Sequence, residues 1–274
     1  MIDEEYFQKL TQMRRERASA IAADRSWLTL AGLYWLQPGG NRFGTADTND
    51  LVLPASAEAK QSGSFVLDGE TVTLRHSDDA PLFINGEAAT DQPLQHDMAG
   101  KPDLLTIGAV SMIVIKRGER YGIRFYDDTS PRRQAFSDLD WYAIDPAYCI
   151  AARFKPYDPA KAIVYGTVLG DQVEEESPGA VIFHWQGTEC ALDAQPRGDK
   201  LFFNFRDATN GESTYGAGRF LLADAPQNGV VILDFNQATN PFCAYTDYAT
   251  CPLPPAQNRL AIPIKAGERK FVLP

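Results

Sequence analysis

The chain has 274 residues, which is enough for one large domain or two modest domains with a sizeable buried core. Hydrophobic residues make up 44% of the sequence and charged residues 23%, a globular composition that excludes wholesale disorder. The chain has 26 Lys and Arg against 36 Asp and Glu, so its net charge is −10, and this acidity argues against binding to duplex nucleic acid, which requires a basic face.

The sequence contains no stretch that approaches the roughly 20 apolar residues of a membrane span. The first residues are acidic and lack the apolar centre of a secretory signal. We therefore expect a cytoplasmic protein with neither a membrane nor a nucleic-acid partner. Its four cysteines are too sparse for a disulfide scaffold, so we predict that Cys149, Cys190, Cys243 and Cys251 are thiols. The sequence does not specify an oligomeric state.

The N-terminal segment is predicted to be a helix. Over residues 3–23, Tyr6, Leu10, Met13 and Ile21 recur near one face at helical spacing. We assign residues 1–25 to this helix and expect it to pack against the body of the protein.

Short strands and turns follow, and residues 26–127 are predicted to form a β-sandwich. Two hairpins are predicted here, each from a pair of strand-like segments that flank a turn. Residues 110–115 and 120–126 flank a Lys-Arg-Gly-Glu turn, and residues 64–67 and 71–74 flank an Asp-Gly-Glu turn. Asn85-Gly86 is a further turn signal.

Residues 128–274 are predicted to form a second antiparallel β domain, a sandwich or a barrel. Its strands are predicted at residues 162–169, 180–185, 201–206, 230–235, 260–264 and 271–273. Strands and helices do not alternate, which argues against a parallel α/β sheet. The predicted fold class is therefore mainly β.

The usual catalytic motifs do not occur in the sequence. It has no G-x-S-x-G, no H-E-x-x-H, no phosphate-binding loop and no pair of C-x-x-C motifs. His76, His96 and His184 are not at ligand spacing from one another, so we predict neither a metal nor a cofactor. Cys243 has no histidine base in its own segment, and we expect Cys243 and Cys251 to be reduced and held by packing.

Residues 234–259 form the segment richest in polar groups. In the preceding strand, Val231, Leu233 and Phe235 alternate with Asp234 and Asn236, which predicts that the two polar residues share a face opposite the core. Several prolines then hold the chain in a stiff, irregular loop. One interpretation is that its Asn, Asp and Thr side chains bind loop backbone.

The other interpretation is that these groups converge on a pocket, because a guanidinium beside carboxylates and amides recognises small anions or sugars. This predicts a site for a small polar or anionic ligand. Its candidate residues are Asp234, Asn236, Asn240, Tyr245, Asn258 and Arg259, with Tyr215 and Arg219 from a second polar segment. A hydrolase that uses Asp234 as acid or base and Arg259 to stabilise charge is an alternative. A purely structural or protein-interaction module is another.

Three strings of residues carry a resemblance to a known family. They are DFNQATNPFCAYTDYATCPLPPAQNRLAIPIKAGE, TNGESTYGAGRFL and GLYWLQPGGNRFG, and together they resemble the bacterial domain-of-unknown-function family 1684, DUF1684, over nearly the whole chain. The resemblance implies no reaction. It implies that the family signature includes Thr214, Tyr215, Gly216, Gly218, Arg219, Asn240, Pro241, Cys243, Tyr245, Cys251, Pro252, Asn258, Arg259, Gly267 and Glu268.

The first half also resembles a forkhead-associated (FHA) β-sandwich. Residues 41–44, 48–53 and 83–86 carry this resemblance. Phosphothreonine readers of that fold place Arg directly after the glycine, where this chain has Thr45, and they carry a Ser-x-x-His that does not occur nearby. The resemblance therefore implies the fold without the phosphopeptide site.

Overall fold

The computed structural model describes residues 4–77 and 80–272, and the chain is mainly β, as predicted. It divides into two compact units. The N-terminal unit comprises residues 20–136, and the C-terminal unit comprises residues 1–19 together with residues 137–274. Within the described residues, no helix combines the length and the apolar character that crossing a membrane requires.

The first element is helix α1, Glu4–Ala22, which confirms the predicted N-terminal helix. Residues 1–3 of the prediction lie outside the described residues. Glu4 and Glu5 in the first turn complement the positive end of the helix dipole. Leu10 and Ile21, two residues of the predicted apolar face, are almost fully buried.

Within its described residues, the N-terminal unit contains eleven strands in two sheets, and among these strands only the β2–β3 pair is parallel. The six-stranded sheet has the order β1-β11-β10-β9-β6-β7, and the five-stranded sheet has the order β3-β2-β4-β5-β8. The strands are β1 Leu30–Trp35, β2 Gly39–Gly44, β3 Leu51–Val52, β4 Gly63–Asp68, β5 Thr71–His76, β6 Phe83–Ile84, β7 Glu87–Ala88, β8 Gln92–Leu94, β9 Leu105–Ile107, β10 Val110–Arg117 and β11 Arg120–Asp127.

The two predicted hairpins of this unit are confirmed as β4–β5 and β10–β11, and the predicted Asn85-Gly86 turn connects β6 to β7. Asn85 and Gly86 both have positive φ angles, 54° and 90°, which the tight β6–β7 turn requires. The two sheets share one hydrophobic core, in which Phe43 stacks on Phe65 with ring centroids 4.5 Å apart. The FHA resemblance of this unit stays a prediction. A short helix α2, Pro131–Ala135, follows β11.

The described part of the C-terminal unit contains seven strands in two antiparallel sheets. One sheet has the order β14-β13-β12-β18 and the other β15-β16-β17. The strands are β12 Cys149–Gly166, β13 Gln172–Trp185, β14 Thr188–Asp193, β15 Gln195–Arg197, β16 Lys200–Phe205, β17 Arg219–Asp224 and β18 Val230–Asp234. Val231, Leu233 and Phe235 lie in the core, as their alternation predicts.

The segment after β18 departs from the prediction. Residues 260–264 do not form a strand, and neither do Phe271 and Val272, while Leu273 lies outside the described residues. The backbone of this segment makes separate hydrogen bonds instead of a continuous ladder. The Leu260 N–H donates to the Arg206 carbonyl at 2.8 Å and the Ile262 carbonyl accepts from the Ala208 N–H at 3.0 Å, but Pro263 has no N–H to donate. The Ile264 carbonyl accepts from the Arg219 guanidinium at 2.8 Å. The long loop is therefore bound to the sheets by isolated backbone bonds and by polar side chains.

Candidate functional site

Strand β18 ends at Asp234, where the chain enters a short 3-10 turn, Phe235–Gln237. The Oδ1 atom of Asp234 accepts a hydrogen bond from the backbone N–H of Asn236 at 3.1 Å and another from its side-chain amide at 3.0 Å. The structure thus brings these two predicted residues together. It does so through a turn that the carboxylate caps, whereas the sequence predicts a shared face of one continuous strand.

Helix α1 and the 3-10 turn add two more donors to the same carboxylate. The Tyr6 hydroxyl donates to Oδ1 at 3.0 Å, and the Gln237 amide donates to Oδ2 at 2.9 Å. Burial, and then the negative charge of Asp234, raise the pKa of Tyr6 far above its ordinary value. Tyr6 therefore stays protonated and acts as a hydrogen-bond donor, which holds this carboxylate in one orientation.

A cleft of about 400 Å³ opens beside Asp234. It contains two amines and two carboxylates, because Lys9 of α1 and Lys200 of β16 line it together with Asp224 and Asp234. Its walls also include the exposed apolar side chains of Leu222 and Ile232. The complete lining is Tyr6, Lys9, Leu10, Cys149, Lys200, Leu222, Ala223, Asp224, Ile232, Asp234 and Gln237.

Lys200 pairs with Asp224, which also lines the cleft, at 3.1 Å. Both side chains are about half exposed or more, so the pair contributes little stability and the amine is available to a competing anion. Lys9 is exposed on the helix. The cleft therefore combines two exposed cations with one buried, hydrogen-bonded carboxylate.

Cys149 also lines the cleft, directly opposite Asp234 in the β12–β18 ladder. Burial, and then the Asp234 charge, raise the pKa of this thiol above its ordinary value. Cys149 is therefore a neutral thiol near neutral pH rather than an activated nucleophile. Among residues 4–77 and 80–272, no group of three or more His, Cys, Asp or Glu side chains is placed to hold a metal ion.

A second polar cluster, here called the Glu268 cluster, consists of Arg17, Asn240, Tyr245 and Glu268. Arg17 Nε donates to the buried Glu268 carboxylate at 2.8 Å, and the Tyr245 hydroxyl donates to the other carboxylate oxygen. The Asn240 amide donates to Glu268 at 2.9 Å. Burial and the Glu268 charge raise the pKa of Tyr245 well above its ordinary value. The predicted residues Asn240 and Tyr245 thus bind a buried carboxylate and do not line the Asp234 cleft.

Residues 134–269 match the model of a family described as "Protein of unknown function (DUF1684)". This part of the chain belongs to the DUF1684 family. The match confirms the resemblance for the two C-terminal strings. It covers residues 134–269 rather than nearly the whole chain, and so leaves out the string at residues 32–44.

Solved structures of other proteins also match this chain. A matching solved structure is an uncharacterized protein from gene locus rrnAC0354 of Haloarcula marismortui, determined by NMR in solution. It is 32% identical, the match covers 50% of this chain and 79% of that chain, and the TM-score is 0.42. A search of curated proteins gives no match.

Two predicted residues of the DUF1684 segment are wholly buried and bind backbone. The Asn258 side chain accepts from the Asp193 N–H at 2.7 Å and donates to the carbonyls of Asp193 and Asn204. Arg219 pairs with Asp207 at 2.6 Å, and neither side chain is exposed. These contacts correspond to the first interpretation of the segment, in which polar side chains bind the loops together.

Arg259 is placed apart from Asp234, against the expectation of one shared site. It is exposed, lies beside Arg206 in an isolated parallel bridge, and is not among the residues that line the cleft. The reason is local: Asn258 anchors the chain between β14 and β16, which directs this end of the loop away from β18. Tyr215 is also elsewhere, with its hydroxyl donating to the Cys243 carbonyl at 2.9 Å.

The cations of the cleft are residues that the sequence analysis missed. Lys9 lies outside the DUF1684 segment and Lys200 at the start of an ordinary strand. The one available signal was the helical spacing of Tyr6 and Lys9, three residues apart, which places a phenol and an amine on neighbouring turns. Nothing in the sequence connects that helix to Asp234, 228 residues away.

Proposed function

We propose that the C-terminal unit binds a small polar ligand carrying an acidic group, in the cleft beside Asp234. The observation that supports this most directly is the cleft itself, about 400 Å³ with Lys9, Lys200 and Asp234 on its lining. That volume lies in the usual range of small-molecule sites, and a few convergent polar groups are what such sites use for orientation.

Each group of the cleft has a role in this proposal. Oδ1 of Asp234 accepts from Tyr6 and twice from Asn236, while Oδ2 accepts from Gln237. Oδ2 thus accepts fewer hydrogen bonds than Oδ1, and it can accept a further one from a hydroxyl or amino donor of the ligand. Lys9 and Lys200 bind the acidic group.

The apolar walls of the cleft favour a ligand with a short carbon skeleton. Leu222 is 54% exposed and Ile232 is 53% exposed, and both face the same cleft as the two lysines. Covering apolar surface adds affinity in proportion to the area removed from water. A hydroxy acid or amino acid of a few carbons combines these features.

The chemistry of the cleft favours binding over hydrolysis. A nucleophilic mechanism needs an activated group, and the pKa values of both Cys149 and Tyr6 are raised by burial and by the Asp234 charge. The hydrolase hypothesis also assigned the stabilisation of charge to Arg259, which does not line this cleft. We place the protein in the cytoplasm without a nucleic-acid partner, in line with its free cysteines and its net charge of −10.

Isothermal titration with matched acids and amides tests the proposal. The probes are malate, which has two acids and a hydroxyl, its diamide, and glycerol. We expect malate to bind and the neutral probes to bind at least about tenfold more weakly, since only the acid engages the lysines. Added salt weakens malate binding because the lysines are exposed.

Lysine variants locate the binding site. Lys9→Met with Lys200→Met is expected to reduce malate affinity by about tenfold or more. Lys155→Met is the matched control, because Lys155 is an exposed strand lysine of the same unit that does not line the cleft. Equal binding of malate and its diamide, no binding of malate, or an equal loss in the control variant would each overturn the proposal.

A further inference from the structure

Cys243 and Cys251 lie against each other in the loop that follows β18. Cys243 is part of a 3-10 turn, Phe242–Ala244, and its backbone N–H donates to the Sγ atom of Cys251 at 3.2 Å. Both cysteines are free. Cys251 is 5% exposed and Cys243 is half-buried, so Cys251 is enclosed whereas Cys243 is the more exposed residue of the pair.

The backbone on either side of this pair is fixed. The Cys251 carbonyl accepts a hydrogen bond from the N–H of Val168 at 3.0 Å, and Pro252 forms an isolated bridge with Thr167. The Cys243 carbonyl accepts from the Tyr215 hydroxyl at 2.9 Å. The two cysteines are therefore held in contact by two separate segments of the C-terminal unit, residues 167–168 and Tyr215, which reduces the entropy lost when the cysteines are joined.

The two sulfurs differ in their protonation. A hydrogen bond from the Cys251 thiol is the largest influence on Cys243 and, aided by the Tyr215 hydroxyl, lowers the Cys243 pKa to about 7 against the effect of burial. The same hydrogen bond, together with burial, raises the pKa of Cys251. Burial raises the pKa of Cys149 and Cys190 as well. Cys243 is thus the cysteine of this chain that carries substantial thiolate near neutral pH, and thiolate is the reactive form.

We propose that Cys243 and Cys251 are a peroxide-oxidisable dithiol, in which Cys243 reacts first and Cys251 resolves the product as an intramolecular disulfide. The Cys243 thiolate attacks one oxygen of hydrogen peroxide, the O–O bond breaks, and hydroxide leaves and takes up a proton to become water. Cys243 is then a sulfenic acid. The Cys251 sulfur attacks it, the S–OH bond breaks, and the departing hydroxide takes the Cys251 proton as a second water. Two thiols are oxidised and one peroxide is reduced.

Intact-mass measurement of the full chain tests the proposal, on a background in which Cys149→Ser and Cys190→Ser remove the other thiols. Brief treatment with hydrogen peroxide is expected to remove the mass of two hydrogens, and a dithiol reductant is expected to restore it. In this background Cys251→Ser should leave a sulfenic acid on Cys243 that dimedone captures. Cys243→Ser should show neither disulfide nor dimedone adduct, because Cys251 alone is a protonated, buried thiol.

The pH dependence of alkylation by iodoacetamide measures the pKa of Cys243. A purely structural role of the two cysteines does not require this pKa to be lowered. The pH profile of Cys243 alkylation in the Cys251-containing background is expected to have its midpoint near pH 7, as the lowered pKa implies. Tyr215→Phe removes a stabilising hydroxyl and should shift that midpoint upward. No mass loss with peroxide, dimedone capture at Cys251 rather than Cys243, or a Cys243 midpoint at the ordinary thiol value near 8.5 would each overturn the proposal.

Discussion

At the residue scale, the same polar side-chain types can bind either loop backbone or a ligand, and the structure shows which partners they have. In the sequence, Asn258 and Arg219 are candidate ligand-binding residues because amides and guanidinium groups recognise small polar molecules. The structure gives both of them backbone carbonyls as partners in a fully buried setting. Sequence could identify the polar residues that matter to this loop, but it could not decide whether their partners are backbone or ligand, because residue type is the same in both cases.

The buried ion pair of Arg219 and Asp207 gives a stability prediction. Arg219→Met removes the cation while Asp207 stays buried, and it also leaves the carbonyls of Ile264 and Ala266 without that donor. We expect the free energy of unfolding to fall by about 3–5 kcal/mol, as for other buried pairs broken on one side. Urea denaturation measures it.

The control for this prediction is Lys200→Met, which breaks the exposed Lys200–Asp224 pair. Its expected cost is below about 1 kcal/mol because solvent screens such pairs. A cost of Arg219→Met as small as that of the control would show that the buried pair does not hold the loop.

At the scale of elements, hairpins were predictable and long-range attachments were not. The β4–β5 and β10–β11 hairpins follow from patterns within about 20 residues of sequence, since turn residues and alternation are local properties. Helix α1 was predictable for the same reason. Its attachment was not, because Arg17 binds Glu268 from 251 residues away and no periodic pattern connects them. The loop at residues 260–264 resembles a strand in composition, but Pro263 has no N–H and the Arg219 side chain binds the Ile264 carbonyl, so no continuous ladder forms.

The attachment of α1 gives a prediction at this scale. Arg17→Met leaves the Glu268 carboxylate, which is 1% exposed, without its cation. We expect a loss of about 3 kcal/mol or more in the free energy of unfolding of the C-terminal unit, because a buried charge loses its partner. Hydrogen exchange should increase in α1 at the same time.

Arg15→Met is the matched control on the same helix, since Arg15 is exposed. It is expected to change stability by no more than about 0.5 kcal/mol. If the two variants exchange hydrogen alike, the Glu268 cluster does not hold the helix.

Glu175 links three strands of the C-terminal unit and gives a pH prediction. It accepts hydrogen bonds from Tyr165 of β12 and from Gln195 and Arg197 of β15. Burial acts to raise the pKa of Glu175, but the bonds from Arg197 and Gln195 outweigh it and lower the pKa below its ordinary value. A carboxyl with a lowered folded-state pKa stabilises the protein above its unfolded pKa, and this stabilisation is lost as pH falls through the folded-state pKa.

Glu175→Gln is therefore expected to be less stable than the parent protein near neutral pH, by on the order of 1 kcal/mol for the charged hydrogen bonds it loses. The difference should shrink as the pH falls below about 4, where the parent carboxyl is protonated as well. Urea denaturation of both proteins across this pH range measures the difference. A gap that stays constant with pH would contradict the assigned role of the charge.

At the scale of the whole molecule, the mainly β fold could be predicted because short strands and turns recur along the chain. The candidate site could be predicted only in part. Asp234 and Asn236 are two positions apart in sequence and are hydrogen-bonded in the structure, whereas the lysines of the cleft come from α1 and β16. The C-terminal unit is discontinuous, since residues 1–19 group with residues 137–274. The composition of the sequence does not reveal that residues 1–19 belong to the C-terminal unit, because this grouping depends on contacts between residues that are far apart in sequence.

This discontinuity leads to a prediction about the two units. Deletion of residues 1–19 removes Tyr6, which binds Asp234, and Arg17, which binds Glu268. Two buried carboxylates of the C-terminal unit then each lose a partner. Uncompensated buried charge favours local opening. We expect hydrogen exchange to accelerate at residues 234–245 and at Glu268, while β10 and β11 of the N-terminal unit keep their protection because their sheet partners and core lie within residues 20–136. Exchange followed by mass spectrometry on the intact and shortened chains measures this directly. Equal acceleration in β10 and β11 would show that residues 1–19 stabilise both units, and would contradict their assignment to the C-terminal unit.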